Sequence, residues 1–319
     1  MVMAAIFCFC ARAIRLSENT DSNNLGKSVI MSIFMANYIL QGKVVKGEAV
    51  GRTIGFPTAN LKLAVKPRCR QGVYAALVTL KRQNYLGLAY FGPRYIFNEK
   101  QDSFEVYIFN FKQNIYGQKL TIKLLQFLRP PQRVTGLKKL KALLQKDLQS
   151  LDQQVILVNR GDKILGIEEK SKAHQGRAKL HRAISVQLFN QKGELLIQQR
   201  AKTKPLFAGE WANTVCTDVR PYENYLAAAN RRLQEEFGLK ANLKPGFKFF
   251  YTARWGKNSE WEIDQAFFGR VSTRPRPSAR EIADWKYISL SQAKRQIKTF
   301  APWFQLILKK IKPSDIVIS

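Results

Sequence analysis

Short apolar runs of strand-forming residues dominate the first half of the chain. After an alternating segment that begins near Asn37, four runs rich in Val, Ile, Tyr and Phe follow, separated by turn residues, at 72–80, 84–92, 103–111 and 118–128. Strands this short and evenly spaced predict a closed antiparallel β-barrel. The segment 137–150 then places apolar residues at i, i+3, i+4 and i+7, which predicts an amphipathic helix that covers one barrel end.

The pattern changes after residue 153. Residues 181–190 and 193–200 predict a hairpin, and 222–239 predict a helix that begins near Glu223 and ends at Gly238. Further strands are expected at 154–159, 248–255 and 262–271. Strands that alternate with a helix predict a mixed α/β (α+β) domain.

A chain of 319 residues is long enough for two domains. We place the barrel domain at 37–151 and the α/β domain at 152–319. The polar, turn-rich stretch before them, 1–36, is expected to be a disordered leader or the product of a misassigned start, with Met31 and Met35 as later start positions.

The chain carries 53 Lys and Arg against 23 Asp and Glu, a net charge of +30. Such a charge favours anionic partners such as phosphorylated small molecules or nucleic acid, although a basic solvated surface has the same composition. No run of five or six basic residues occurs, and the apolar stretch 1–11 is too short to cross a bilayer, so we expect neither nucleic acid nor membrane as a partner. The four cysteines predict no disulfide framework and favour the cytoplasm.

Residues capable of metal binding or proton transfer concentrate between 170 and 262. The only two histidines of the chain, His174 and His181, are seven positions apart. Cys216 and Asp218 follow in WANTVCTDV, and Glu260 precedes Glu262 by two positions in SEWEIDQ. Histidine and carboxylate ligands of this kind are typical of a divalent metal site.

The first domain resembles riboflavin kinase over about 40–148. The similarity lies in GKVVKGEAVGRTIGFPTANL, GVYA, FEVYIFNF, YGQKL and FLRPPQ. It implies a kinase of riboflavin that uses Mg-ATP and forms FMN, in which Thr58 and Asn60 hold the nucleotide and its Mg²⁺. The glycine-rich loop that contains Gly51 would approach the phosphates, and Glu105 would be the catalytic base. The segment from Tyr90 to Phe97 departs from the family pattern, because aromatic and aliphatic side chains replace its Asn and Thr.

The helix in the second domain nearly matches a Nudix box. Glu223 is followed after seven residues by RRLQEEFGL, in which Arg232 stands where the box has a glutamate and Thr217 stands for its leading glycine. The loss of a metal-binding carboxylate implies a Nudix scaffold without hydrolysis.

Residues from about 154 to 308 resemble type 1 isopentenyl-diphosphate isomerase, a Nudix-scaffold family. The matching motifs are LGIEEKSKAH, LHRAISVQLFNQKGELLIQQRAKTK, GEWANTVC, FFYTARW, EWE and FAPWF, together with the degenerate box. The resemblance implies that Cys216 and Glu262 transfer protons on opposite faces of a double bond, assisted by Tyr251. It also implies that Trp303 stabilises a cationic intermediate state.

The same resemblance implies the binding residues. His174, His181, Glu260 and Glu262 correspond to ligands of a divalent metal, which could be Mg²⁺, Mn²⁺ or Zn²⁺. Asp218 replaces a fifth ligand that is histidine in the family, and an oxygen donor there should shift preference from Zn²⁺ toward Mn²⁺ or Mg²⁺. Glu236 would help to hold Mg²⁺ on the diphosphate. The cations expected to bind the diphosphate are Lys170, Arg200 and Lys204.

The sequence thus predicts a bifunctional enzyme that isomerises isopentenyl diphosphate to dimethylallyl diphosphate, for isoprenoid biosynthesis, and phosphorylates riboflavin with ATP. Two alternatives remain at this point. One is a Nudix hydrolase of a nucleoside or prenyl diphosphate with a degenerate nucleotide-binding barrel. The other is a basic RNA-binding module, which no RNA-binding motif supports.

Overall fold

A computed structural model of the protein describes residues 38–95, 99–312 and 315. The expected leader at 1–36 and the family position Phe97 lie outside the described residues. No helix in the described ranges is long and apolar enough to cross a membrane.

Six strands of the first domain form the closed antiparallel barrel that the strand runs predict. Its elements are β1 (Ile39–Val45), helix α1 (Val50–Thr53), β2 (Thr58–Leu63), β3 (Gly72–Leu80), β4 (Gln83–Pro93), β5 (Asp102–Ile108), β6 (Lys119–Arg129) and helix α2 (Leu137–Gln149). The strand order around the barrel is β1-β2-β5-β4-β3-β6. Alternate residues of β3 point inward, so Tyr74, Ala76 and Val78 are buried in the barrel core, while Val73, Ala75 and Leu77 point outward.

The second domain is built on a mixed sheet, as the alternating pattern predicts. Its elements are β7 (Gln154–Val158), β8 (Ile164–Glu169), α3 (Lys170–His174), β9 (His181–Phe189), β10 (Leu195–Arg200), β11 (Trp211–Ala212), β12 (Val215–Asp218), α4 (Tyr225–Phe237), β13 (Lys244–Trp255), β14 (Asn258–Arg270), β15 (Ile282–Ile288), α5 (Leu290–Arg295), a 3-10 turn (Ile297–Thr299) and α6 (Pro302–Lys310). The central strand β9 runs parallel to β14 and antiparallel to β12.

Helix α4 has the boundaries that its sequence predicts to within a few residues. Its N-cap is Asn224, whose side-chain oxygen accepts a hydrogen bond from the backbone N–H of Ala227 at 2.8 Å. The helix ends at Gly238, which has a left-handed φ of 64° that glycine adopts without a steric penalty. Ala228, Leu233 and Phe237 form the buried face of the helix, which packs against β9 and β12.

The two domains share one hydrophobic core across their interface. The outward-facing side chains of β3 and β4 belong to the same buried cluster as Ile156 of β7 and Val186 of β9. Polar contacts accompany this packing, since the Asn84 side-chain amide donates to the carbonyl of Ile164 at 2.7 Å. Leu151, in the short connection between α2 and β7, is fully buried. Leu151 thus anchors the connection in the protein interior, although its neighbours Ser150 and Gln153 are exposed.

Candidate functional site

Strand β9 aligns the chemically active residues of the second domain. His181 lies opposite Glu262 in the parallel pairing with β14, and Ser185 lies opposite Cys216 in the antiparallel pairing with β12. On the far side of β14, Glu262 lies opposite Tyr251 of β13. Residues two apart on a strand share a face, so Glu260 and Glu262 point to the same side. Sheet register thus gathers residues that are up to 81 positions apart, from His181 to Glu262.

His174, His181, Glu260 and Glu262 form a cluster suited to a divalent metal. One ligand atom from each of the four buried residues lies within 4.8 Å of all the others. The Nδ1 atoms of His174 and His181 contact the carbonyl oxygens of Lys170 and Lys179, each at 2.7 Å. These contacts favour the tautomer that leaves both Nε2 atoms available as ligands.

Electrostatics of the cluster also fit a bound cation. Burial and the neighbouring Glu262 carboxylate raise the pKa of Glu260 to about 7. Burial lowers the pKa of His181, but its contacts with Asp218 and Glu262 outweigh this effect and raise it well above the usual value. Two carboxylates and two imidazoles at this spacing are a donor set that divalent ions accept.

Asp218 lies at the edge of this cluster. Its Oδ2 is 2.7 Å from Nζ of Lys170, and its Oδ1 is 3.1 Å from Nε2 of His181. Burial opposes ionisation of Asp218, but Lys170 and the two imidazoles hold the pKa of its carboxyl well below the usual range. Asp218 is therefore an ionised group that Lys170 contacts. It lies beside the cluster of His174, His181, Glu260 and Glu262 and is not one of its four members.

A cavity of about 380 Å³ opens beside the cluster. Its lining includes ten of the residues that the sequence singled out: Lys170, His174, Arg200, Lys204, Cys216, Asp218, Tyr251, Glu260, Glu262 and Trp303. Part of its wall is aromatic, because the rings of Tyr251 and Trp303 both line it and lie 6.1 Å apart. The indole N–H of Trp303 donates to Asn213 at 2.8 Å, which fixes the ring in the wall.

Several cations also line the cavity. Arg232 contacts Glu236 and Glu281, and Lys204 contacts Glu281 as well. Glu236 also accepts a hydrogen bond from Gln198 at 2.8 Å, which holds its buried carboxylate in place. Arg231 and Arg280 are further cations of the lining, and guanidinium groups of this kind can pair with the oxygens of a diphosphate.

The first domain has its own pocket of about 150 Å³ between the barrel and α2. Gly51, Thr58, Asn60 and Glu105 all line it, as the sequence predicts for one site. The hydroxyl of Thr58 donates to Oε2 of Glu105 at 2.9 Å. Gly51 is required by close packing, since a Cβ there would lie 2.2 Å from the carbonyl oxygen of Phe56.

Described residues of the segment that departs from the riboflavin kinase pattern, Tyr90 to Tyr95, form part of this pocket. Tyr90 and Arg94 both line it, and the Tyr90 hydroxyl donates to the carbonyl of Pro93 at 2.6 Å. Nε of Arg94 lies 3.9 Å from Oε1 of Glu105. Burial raises the pKa of Glu105, whereas the hydrogen bond from Thr58 and the charge of Arg94 lower it in part.

Several residues of the second cavity were missed by the sequence analysis. Asp152 and Gln153 of the interdomain connection line it, and so do Arg220 and Glu281. The two consecutive arginines, Arg231 and Arg232, could have indicated that cations line the cavity, because Arg232 stands where the Nudix box has a carboxylate. No local pattern marks Asp152, which reaches the cavity only through the packing of the two domains.

Comparison with known proteins identifies a family for each domain. Residues 34–155 match the family model described as riboflavin kinase, and residues 179–310 match the NUDIX domain. An isopentenyl-diphosphate Delta-isomerase 2 of Aromatoleum aromaticum is 37% identical over 166 residues, which cover 50% of this chain and 87% of that protein. An isopentenyl-diphosphate Delta-isomerase of Pectobacterium atrosepticum is 37% identical over 163 residues, with 50% and 90% covered.

A barrel that matches the riboflavin kinase family, followed by a Nudix-type sheet with a buried cluster of two histidines and two glutamates, defines the class of this protein. Through its second half, the chain belongs to the isopentenyl-diphosphate Delta-isomerase family. The predicted two-part fold and the two family resemblances are therefore confirmed.

Proposed function

We propose that this chain is a bifunctional enzyme that interconverts isopentenyl and dimethylallyl diphosphate in its second domain and phosphorylates riboflavin in its first. The observation that carries the first activity is the shared cavity, in which Cys216, Glu262, Tyr251 and Trp303 meet the metal-binding cluster. A small hydrocarbon with a charged head fits a cavity whose wall includes both aromatic rings and cations.

Isomerisation of the double bond requires one proton to be added to carbon and another to be removed. Cys216 and Glu262 supply the two groups, so that each turnover gains and loses one proton and the product keeps the formula of the substrate. The indole of Trp303 presents an aromatic face to the positive charge that develops on carbon. Lys204, Arg232 and the neighbouring cations orient the diphosphate and keep the double bond between the two proton-transfer groups.

His174, His181, Glu260 and Glu262 would hold the divalent metal, with Asp218 as a further oxygen donor. When bound, a divalent ion supplies positive charge that keeps Glu260 and Glu262 ionised side by side. The two backbone carbonyls at Lys170 and Lys179 orient the imidazoles whether or not the ion is present. We propose Mg²⁺ for the diphosphate itself, near Glu236.

In the first domain, Glu105 takes the proton from the riboflavin hydroxyl as that oxygen attacks the γ-phosphoryl group of Mg-ATP. Thr58 orients the carboxylate through its hydrogen bond, and Asn60 lies directly opposite Glu105 in the strand pairing. Thr58 and Asn60 thereby come close enough to the base to hold the nucleotide and its metal in line.

We place the protein in a reducing compartment such as the cytoplasm, because Cys69 and Cys216 are free thiols in the described part of the chain.

Two assays on the intact chain test the proposal. Isopentenyl diphosphate with Mg²⁺ or Mn²⁺ should yield dimethylallyl diphosphate, and riboflavin with Mg-ATP should yield FMN, each followed by mass or chromatography. Release of phosphate from a prenyl or nucleoside diphosphate without isomerisation would instead support a Nudix hydrolase. RNA binding that weakens steeply with salt, in the absence of both products, would support a nucleic-acid module.

A further inference from the structure

The connection between the two domains forms part of the wall of the isomerase cavity. Asp152 and Gln153 follow the buried Leu151 and line the cavity together with Gln154, the first residue of β7. The carbonyl of Gln153 accepts a hydrogen bond from the backbone N–H of Lys170 at 2.8 Å. Lys170, the first residue of helix α3, is thus hydrogen-bonded to the connection.

Asp152 contacts a cation of the same cavity. Nη1 of Arg220 lies 3.4 Å from Oδ1 of Asp152 and 3.2 Å from the hydroxyl of Tyr222. The Tyr222 hydroxyl in turn donates to Asp152. These three polar groups form a closed triangle, which restricts the guanidinium of Arg220 to one position at the cavity wall.

The barrel holds the tyrosine of this triangle. The side-chain amide of Asn110 donates to the carbonyl of Tyr222 at 3.1 Å, and the Phe109 ring packs edge-on against the Tyr222 ring with centroids 6.4 Å apart. Both barrel residues follow directly after strand β5, which carries Glu105. A guanidinium at the isomerase cavity therefore depends on the kinase barrel for its position.

We propose that Arg220 binds the diphosphate of the isomerase substrate, and that Asp152, Tyr222 and the barrel residue Asn110 position it. Arginine suits this task because its planar donors pair with phosphate oxygens in a fixed geometry, provided that the side chain is held in advance. Burial and the adjacent Asp152 raise the pKa of Tyr222 to about 12, so its hydroxyl remains a donor at neutral pH. This inference rests on the proposed isomerase function, and it makes the kinase barrel a structural part of the isomerase site.

Binding of inorganic pyrophosphate to the intact protein, measured by calorimetry with Mg²⁺, tests the proposal without requiring turnover. Arg220→Gln should weaken pyrophosphate binding about tenfold and raise KM for isopentenyl diphosphate by a similar factor, with kcat changed less than twofold. Arg220→Lys, which keeps the charge but not the planar fork, should recover part of the affinity. Tyr222→Phe should weaken binding about threefold, because the triangle loses its central hydroxyl.

The contribution of the barrel is tested by a matched pair of variants. Asn110 has a left-handed φ of 54°, so Asn110→Gly removes the amide donor without straining the backbone, and we expect it to weaken pyrophosphate binding two- to threefold. Asn84→Ala removes another hydrogen bond between the domains, the one from Asn84 to the carbonyl of Ile164, and it should leave pyrophosphate binding unchanged. FMN formation by all variants reports that the barrel remains folded.

Unchanged pyrophosphate affinity in Arg220→Gln would overturn the proposal. Equal weakening by Asn110→Gly and Asn84→Ala would overturn the part that assigns positioning to Asn110, because a general loosening of the interface would then explain both. If the wild-type protein binds pyrophosphate through Arg220 but does not isomerise isopentenyl diphosphate, the proposed function fails while this binding role stands.

Discussion

The sulfur of Cys216 lies 3.5 Å from Nη1 of Arg200. The guanidinium carbon of Arg200 in turn lies 5.4 Å from the centroid of the Trp303 ring, in the same cavity wall. Burial raises the pKa of the Cys216 thiol to about 12, while the Arg200 charge acts in the opposite direction. The thiol is thus protonated at rest, and a cation is already in place to stabilise the thiolate. Such a sulfur can exist in both forms within one turnover.

Replacement of Cys216 should abolish most of the isomerase activity and none of the kinase activity. Loss of a group that transfers a proton typically reduces a rate by about 10²- to 10⁴-fold, and we expect Cys216→Ala to fall in that range for dimethylallyl diphosphate formation. FMN formation by the same preparation is the internal control. Cys69→Ala, which removes a thiol in the barrel domain, should leave isomerisation intact, and an active Cys216→Ala protein would exclude the proposed proton transfer by this residue.

The pH dependence of the kinase should respond to Arg94. In the proposed kinase mechanism the ionised form of Glu105 is the base, so we expect the rate to fall as the pH drops through the pKa of this carboxyl. Arg94 lowers that pKa, and its charge is lost in Arg94→Met, which should raise the pKa and move the acidic limb of kcat/KM for FMN formation to higher pH. Rates measured across a pH series give the shift.

A matched control for the Arg94 variant is Lys62→Met. It removes the same charge from an exposed position on β2, and Lys62 is not among the groups that act on the pKa of Glu105. The control should keep the acidic limb of the wild type. A limb that stays in place in Arg94→Met, or moves to lower pH, would show that Glu105 is not the base.

The metal preference should depend on Asp218. Its carboxylate is a harder donor than the histidine that the family has there, so protein purified without added metal should favour Mn²⁺ or Mg²⁺ over Zn²⁺. Asp218→His should raise the zinc content, because an imidazole replaces the oxygen donor and the contact with Lys170 is lost. Elemental analysis of both proteins measures this change.

Asp218→Asn separates the donor type from the loss of the ion pair. It keeps an oxygen at the same position and removes the charge that Lys170 contacts, so it should gain no zinc. Stoichiometric zinc in the wild-type protein would contradict the assignment of metal preference to Asp218.

The cap of helix α4 should contribute measurably to stability. Asn224→Ala removes the acceptor for the Ala227 N–H, and loss of an N-cap of this kind costs about 1 kcal/mol. Urea unfolding should show this decrease in the free energy of unfolding of the second domain. Asn224→Asp keeps an acceptor at the helix start and should retain wild-type stability; equal destabilisation by both changes would mean that the hydrogen bond is not the cause.

Local sequence patterns predicted the two domain types because each element carries its own signal. The apolar strand run at 72–80, the helix that ends at Gly238 and the two-residue spacing of Glu260 and Glu262 depend only on neighbours in the chain. The resemblance to known families then assigned Cys216, Trp303 and the histidines, and the structure places Cys216, Trp303 and His174 in the wall of one cavity.

The role of Asp218 shows where a motif is not enough. The motif alone assigns Asp218 as a fifth ligand, and only the folded chain adds that Lys170 contacts one of its oxygens and His181 the other. That arrangement depends on α3 approaching β12 from a distant part of the sequence. Neither the sequence around Lys170 nor the sequence around Asp218 shows that these two side chains are in contact.

The sequence by itself determined which segments become strands and helices and which side chains can transfer protons or bind a metal, because these properties arise from residue type and short-range periodicity. Only the tertiary structure decided that Cys216 faces the same cavity as Glu262, that Asp152 of the connection reaches that cavity, and that Asn110 of the barrel supports Tyr222 beside it. The physical reason is that such distances depend on strand register and on the packing of two apolar surfaces, both of which join residues that are remote along the chain.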